Sequence, residues 1–386
     1  MNAPVSKPPY RVPTMAEIRA LPWNGYKVAS TFSGGGGSST GYKMAGYRVV
    51  WASEFIPAAQ DTYRANHPDT ILDTRDIRAV TAADILRATG LREGELDLFD
   101  GSPPCASFST AGKREAGWGT VKNYSDTKQR TDDLFFEFSR LVRGLRPKVF
   151  VAENVSGLVK GTAKGYFKLI LADLKAAGYR VEAQVLDAQW LGVPQARQRL
   201  IFVGVRDDLG VAPAHPSPLP YRYTVRDALP WIARAVHDTS GSFSVGDFTD
   251  KPCPAVTVGG QQVNACHYKV EAESDITRFA IGREWDKLKP GEQSDKYFSL
   301  VRPSLDAPSP CVTQRGGDNT VASVTHPTER RKFSIAELRR ICGFPDDYAL
   351  TGSYAQQWER CGRAVPPVMM AAVAATIRDR VLARCS

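Results

Sequence analysis

The sequence predicts an α/β fold, a doubly wound sheet with helices on both faces, followed by a smaller loop-rich β domain. Three observations predict it. Short apolar runs alternate with helical segments as far as Asp208, and the first such run ends in four glycines that open a helix. Beyond that point the rhythm stops, and residues 209–330 become rich in proline, glycine, serine and threonine.

Taken in order, "KVASTFS" (27–33) reads as a short buried strand, "GGGGSSTGYKMAGY" turns into a helix, and "RVVWASEF" (48–55) is the next strand. "PAAQDTYRANHP" has helical spacing, and "LDLFDGS" (96–102) is an apolar strand that stops at a proline–cysteine loop. In "DDLFFEFSRLVRGLRP", Leu134, Phe138, Leu141 and Leu145 share one helical face. "KVFVAENV" reads as a strand, "YFKLILADLKAAGY" as a helix and "RLIFVGVR" (199–206) as a strand. Within 209–330, "DKPCPAVT" and "DAPSPCVT" share the pattern D-x-P-x-P-x-V-T, which reads as two similar turns entering strands. Helical periodicity returns in "SIAELRRICGF" and in the proline-started "PPVMMAAVAATIRDRVLARC". The expected division is an N-terminal extension (1–24), a core (25–208), a second domain (209–330) and a C-terminal segment (331–386) that returns to the core.

Composition bounds the function. A chain of 386 residues can bury one large core and a smaller one, and 42% apolar with 24% charged residues is ordinary for a soluble globular protein. No apolar run approaches the ~20 residues that cross a bilayer. The opening "MNAPVSKPPYRVPT" has no apolar signal core, so the expectation is a cytoplasmic protein with no membrane partner. Seven scattered cysteines without a CxxC argue against a disulfide framework and against a metal site. A net charge of +9 suits a polyanionic partner.

The glycines at 34–37 permit positive φ and let a ligand approach the backbone, beside the free N–H groups of a helix start. Glu54 closes the next strand, where a carboxylate can accept two ribose hydroxyls. Together they point to a nucleoside cofactor. Asp76, in "DTRDIRAV", is placed to bind an adenine amine. Pro103 and Pro104 stiffen the approach to Cys105, as a nucleophile held at a set angle requires. The next strand edges carry "AENV", with Glu153 and Asn154, and "PQARQRL", with Arg197 and Arg199 expected on one face of an incipient strand. A buried Glu can share a proton with a heteroaromatic ring, and an arginine can bind a carbonyl oxygen or steady a thiolate.

In this order "STFSGGGG", "GSPPCASFS", "ENV", "QARQR", "CGFPDDY" and "CGRAVPP" resemble the DNA (cytosine-5) methyltransferases, from about residue 27 to 380. The resemblance implies a Rossmann-like S-adenosylmethionine-dependent methyltransferase core with a mixed, mostly parallel sheet, and makes 209–330 a target-recognition domain. It implies that Cys105 attacks carbon 6 of a flipped cytosine, that Glu153 contacts ring N3, and that Arg199, supported by Arg197, binds O2. By position it assigns the cofactor to Phe32, Ser33, Gly34, Gly37, Glu54, Phe55, Asp76, Ile77, Pro104, Arg363 and Val365. The implied partner is double-stranded DNA, met by a monomer that a cognate restriction endonuclease can accompany. A tRNA cytosine-5 methyltransferase on the same core is the rival, and the long 209–330 insert favours duplex DNA. Base edges are then read from residues such as Gln261, Gln262, Asn264 and Arg315.

Two positions depart from the family. Ala106 stands where it has glutamine, and Arg363 where it has asparagine, close by resemblance to the methionine part of the cofactor. Two unit charges 5 Å apart at an effective dielectric of ~20 interact by ~3 kcal/mol, so a bare cation there repels a sulfonium. Arg363 suits three readings: a contact to DNA phosphate, a contact to the cofactor carboxylate, or a clamp on carboxy-S-adenosylmethionine, which would yield 5-carboxymethylcytosine.

Overall fold

The computed structural model describes residues 6–104, 122–124, 127–129, 133–232 and 272–385. The strands are β1 (Lys27–Thr31), β2 (Arg48–Ser53), β3 (Ile71–Asp73), β4 (Leu98–Gly101), β5 (Lys122–Tyr124), β6 (Thr127–Gln129), β7 (Val149–Val155), β8 (Tyr179–Asp187) and β9 (Gln198–Arg206). Seven of them form one sheet in the order β3-β2-β1-β4-β7-β9-β8, while β5 and β6 pair antiparallel with each other. From β3 to β7 all neighbours are parallel; β9 runs antiparallel to both β7 and β8. The sheet is therefore mixed and mostly parallel.

The helices are α1 (Met15–Ala20), α2 (Gly37–Met44), α3 (Pro57–Asn66), α4 (Ala82–Thr89), α5 (Leu134–Leu145), α6 (Lys164–Ala176), α7 (Val225–Ala228), α8 (Ala280–Trp285), α9 (Ile335–Ile341), α10 (Tyr354–Arg363) and α11 (Pro367–Arg380). Their starts follow local chemistry. Capping boxes open α1 (Thr14 with Glu17), α4 (Thr81 with Asp84), α9 (Ser334 with Glu337) and α10 (Ser353 with Gln356), each satisfying backbone N–H groups that the first turn leaves over. Proline occupies the first turn of α3 and α11, where a missing N–H removes no helical bond.

Strand alternation divides the core into two layers. Val28, Leu98, Val149, Val151, Ile201 and Val203 face Tyr42 of α2 and Met369, Met370, Val373 and Ile377 of α11. Their neighbours Ala29, Phe99, Phe150, Ala152 and Phe202 face the other way, against Ile85 of α4, Phe138 and Leu141 of α5, and Ile170 and Leu174 of α6. The returning C-terminal helix thus covers one face of the sheet. It approaches closely because Gly41 has no side chain: a Cβ there would lie 2.6 Å from both the Met370 Cβ and the Pro367 carbonyl oxygen.

Among the elements that the sequence reading did not name, two are instructive. Residues 179–187 form an edge strand, although charged Arg180 and Glu182 alternate with its buried residues and mask the apolar signal. α10 is polar on most positions and shows no apolar run, yet buries Tyr354, Trp358 and Cys361. The N-terminal residues are also built in. Tyr10 donates to the Arg340 carbonyl (2.8 Å), the Met15 amide to Asp347 (2.8 Å), and Met15 and Ile18 pack with α7, α9 and α10. That same cluster takes Val312 and Val324 from the 209–330 region, whereas Ile276, Ile281, Trp285, Leu288 and Leu300 form a small cluster of their own.

Because α11 supplies one layer of the core, Ile377→Ala should lower unfolding stability by about 2–5 kcal/mol in a denaturant titration. A loss no larger than that of an exposed residue would mean that the helix does not cover the sheet.

Candidate active site

Every site residue that the structure describes lies at or beside one edge of the sheet, where the parallel strands end. The loop after β1 turns sharply: Phe32 holds φ 52, Gly34 φ 54 and Gly36 φ 93. Positive φ is strained for phenylalanine and easy for glycine, and such strain gathers at ligand-binding loops. Around Gly34 a Cβ would meet nothing within 4 Å, so the backbone there faces open space. Gly36 and Gly37 answer to packing. A Cβ on Gly36 would lie 2.4 Å from His67 Nε2, and one on Gly37 2.5 Å from the Val365 carbonyl oxygen. Tyr348 donates its hydroxyl to the Gly35 carbonyl from below.

Glu54 follows β2. Its two carboxylate oxygens accept from the backbone N–H of Gly34 and of Ile56, both at 2.7 Å, which ties the glycine loop to the strand end. Burial pushes its carboxyl up, against those backbone donors and the nearby Arg360 charge. Phe55, beside it, leaves 40% of its surface exposed, an aromatic face on which a planar ring can stack. Asp76 caps the short turn Ile77–Ala79 by accepting from the Arg78 amide (2.9 Å), and also pairs with the Arg78 guanidinium (3.0 Å). Ile77 is buried in the core layer below. Ser33 donates to the Ser30 carbonyl (3.1 Å).

β4 is followed by Ser102, Pro103 and Pro104. The Asn154 side chain donates to the Pro103 carbonyl (3.3 Å), so β7 holds the proline segment in place. Cys105 and Ala106 lie outside the described residues, as do Gln261, Gln262 and Asn264. On β7, Glu153 pairs with Arg199 Nε at 2.7 Å, and Ser102 donates a further hydrogen bond to it. Burial raises the Glu153 carboxyl despite both arginines, so it holds a proton more readily than an exposed glutamate.

The two arginines part company. Arg199, in β9, meets Glu153, but the Arg197 guanidinium turns to backbone carbonyls, donating to Val312 (3.0 Å) and Gly362 (2.8 Å). The expected shared face fails because Arg197 precedes the strand, which begins at Gln198. Arg363, at the end of α10, donates to Glu359 one turn earlier (2.6 Å). That carboxylate offsets the guanidinium charge.

Sequence reading overlooked Asp100. It is 1% exposed, and its carboxylate accepts from Ser30 Oγ (2.8 Å) and the Tyr42 hydroxyl (3.0 Å). Burial, reinforced by the Glu153 charge, pushes it up to about 7. The available signal was an acid inside the apolar run "LDLFDG". Glu359 was overlooked too; its signal was the i,i+4 spacing to Arg363.

With this geometry the chain was compared with known proteins. The family model described as C-5 cytosine-specific DNA methylase matches residues 26–379. The type II methyltransferase M1.HphI of Haemophilus parahaemolyticus is 31% identical over 356 residues, 90% of this chain and 85% of that protein. M.DdeI of Desulfomicrobium norvegicum, another type II methyltransferase, is 30% identical over 386 aligned residues, covering 91% and 88%. Among solved structures, a prophage-encoded E. coli protein described as a DNA modification methyltransferase superposes with TM-score 0.66 at 20% identity, over 92% of this chain and 99% of that one. A Spodoptera frugiperda DNMT2 mutant superposes at 0.57 with 18% identity, over 90% and 97%. The two structural likenesses concern the fold.

Asp100 generates a pH dependence. Its folded pKa of about 7 exceeds that of an unfolded aspartate, ~3.9, so the native state keeps a proton that the unfolded chain has lost. This contribution is full at low pH and fades as pH rises through about 7. Denaturant titrations from about pH 5 to about pH 8 should show stability falling less steeply in Asp100→Asn than in the parent. An unchanged slope would contradict the assignment.

Proposed function

Because the chain belongs to the C-5 cytosine-specific DNA methylase family, we propose that it transfers a methyl group from S-adenosylmethionine to carbon 5 of a cytosine flipped out of duplex DNA. The observation that carries this reading is the buried Glu153–Arg199 pair, beside Ser102 at the sheet edge where the proline segment leads to residue 105. The names of its relatives support the further reading that it is the modification partner of a restriction endonuclease.

Carbon 5 of cytosine is too weak a nucleophile to take a methyl group unaided. Addition of the Cys105 thiolate to carbon 6 forms a C–S bond and moves an electron pair toward carbon 5. A free thiol has a pKa of ~8.5, so this role needs a donor-rich or cationic setting. Glu153, with its raised carboxyl, delivers a proton to ring N3 as negative charge develops there. Arg199 holds Glu153 in line and faces O2. Once carbon 5 carries the methyl group and is tetrahedral, a base takes its proton and the C–H electron pair re-forms the C5=C6 bond. The C6–S bond breaks to release the thiolate, and the N3 proton returns to Glu153. Arg197 acts as a positioning residue, tying the start of β9 to Val312 and Gly362. Flipping is required because a stacked, paired base hides carbon 6 from any side chain.

The residues present fit the cofactor. Gly34 leaves its backbone open, Glu54 offers carboxylate oxygens toward a ribose, and Phe55 exposes a ring face. Ile77, Asp76, Pro104 and Val365 would complete the holding set. Bound S-adenosylmethionine would supply the electrophilic methyl group. A carboxylated donor is the second reading, favoured by a guanidinium at position 363. The Glu359 carboxylate beside it offsets that charge and supports the plain methyl donor.

On DNA carrying 5-fluorocytosine, where fluorine replaces the carbon 5 proton and no base can remove it, the protein with S-adenosylmethionine should form a covalent adduct. Cys105→Ser should abolish the adduct and lower turnover by about 10³-fold or more. Full modification by that variant, or transfer to tRNA in preference to duplex DNA, would refute the reading. In a competition between the two donors read by mass spectrometry, parent and Arg363→Asn should both yield 5-methylcytosine. A carboxymethyl product made by the parent alone would establish the second reading.

A further inference from the structure

The segment from Val312 to Val321 is held along its inner side more firmly than a surface turn requires. Lys332 is fully buried and has no carboxylate partner among the described residues. Its ammonium instead donates to three carbonyl oxygens of this segment, those of Gly316, Asp318 and Val321 (the last at 3.0 Å). The Trp358 indole N–H donates to the Thr313 carbonyl (2.9 Å). Gly316 rests on the same indole, so closely that a Cβ would lie 2.4 Å from its Nε1. At the near end, Arg197 holds the Val312 carbonyl.

The outer side is the opposite. Gln314 and Arg315 are exposed, and neither side chain has a hydrogen-bond or ion-pair partner among the described residues. A rigid backbone therefore presents a fork of donors and an amide that no described residue hydrogen-bonds, although the Arg315 charge reaches Asp318 at longer range. The turn begins next to the reaction centre: Cys311 Sγ lies 3.5 Å from the Arg197 guanidinium, two residues before Arg199. Four residues reach at most about 14 Å, and bases in a strand are ~3.4 Å apart. The Arg315 backbone thus lies within about 14 Å of Cys311, a length comparable to about four base steps.

We propose that Lys332 pre-organises a DNA-reading element formed by Gln314 and Arg315, in which Arg315 contacts a guanine edge in the major groove close to the target cytosine. This rests on the methyltransferase reading above. An arginine fork matches guanine O6 and N7, and a carbonyl clamp fixed before binding removes the ordering cost that a loose loop would meet on DNA. Lys332 touches no DNA; its role is positional.

The test is methylation of a random-sequence duplex library with S-adenosylmethionine, followed by sequencing of modified sites, for the full-length parent and variants. Arg315→Ala should relax discrimination at one guanine near the modified cytosine by about 10- to 100-fold. Its affinity for S-adenosylmethionine should be unchanged. Lys332→Met should relax the same position. Should that variant not fold, Trp358→Phe, which removes the bond to Thr313, is expected to act in the same direction. A uniform loss over all sequences in Arg315→Ala, with the salt slope of binding reduced by about one, would identify a phosphate contact and overturn the proposal. So would unchanged discrimination in Arg315→Ala, or in both loosened variants. A parent that modifies no duplex would instead refute the methyltransferase reading itself.

Discussion

The Glu153–Arg199 ion pair exists because β9 runs antiparallel to β7. In a fully parallel sheet the start of β9 would lie at the far edge, and its arginine could not meet a residue near the end of β7. Reversal pairs Arg199 with Val155, two residues beyond Glu153, and brings the guanidinium to the edge that carries the proline segment. A buried pair of this kind is costly to break from one side, since the partner is left charged and unsolvated, about 3–5 kcal/mol. The hairpin β8–β9 is therefore both the closing element of the sheet and the element that brings Arg199 against Glu153, whose carboxyl is still pushed up by burial.

Around that pair, backbone proximity does what side chains do elsewhere. Gly37 admits the Val365 carbonyl, Gly41 admits α11, and Gly362 admits Thr313, where a Cβ would lie 2.7 Å from the carbonyl oxygen. The first two contacts join segments more than 300 residues apart in sequence to the glycine loop and the helix it opens, and one guanidinium, that of Arg197, ties together the β9 entry, the 312 segment and the end of α10. A cofactor resting on the glycine loop would share its support with the chain that faces DNA.

Charge placement near α10 is specific to this chain. Arg363 replaces an uncharged residue expected from family resemblance, and Glu359 one turn earlier compensates it. Arg360, buried beneath Gly35, lowers the Glu54 carboxyl against the effect of burial. Glu359 thus lies beside both guanidinium groups, 2.6 Å from Arg363 and 3.8 Å from Arg360, and offsets part of their charge.

Local periodicity is what sequence can express, and it determined the alternation of strands and helices, the buried stripe of α5, the glycine turn, and the order in which Glu54, Glu153 and Arg199 reach one edge. Those features depend on neighbours in the chain and on the chirality of the connections. Tertiary structure alone decided the direction of β9, the edge strand hidden by Arg180 and Glu182, the separation of Arg197 from Arg199, and the burial of Asp100 against Tyr42. Each depends on a partner distant in sequence. A residue's burial and its choice of hydrogen-bond partner are properties of the packed molecule, and only packing brings Ser30, Tyr42 and Asp100, or Lys332 and Val321, within bonding distance.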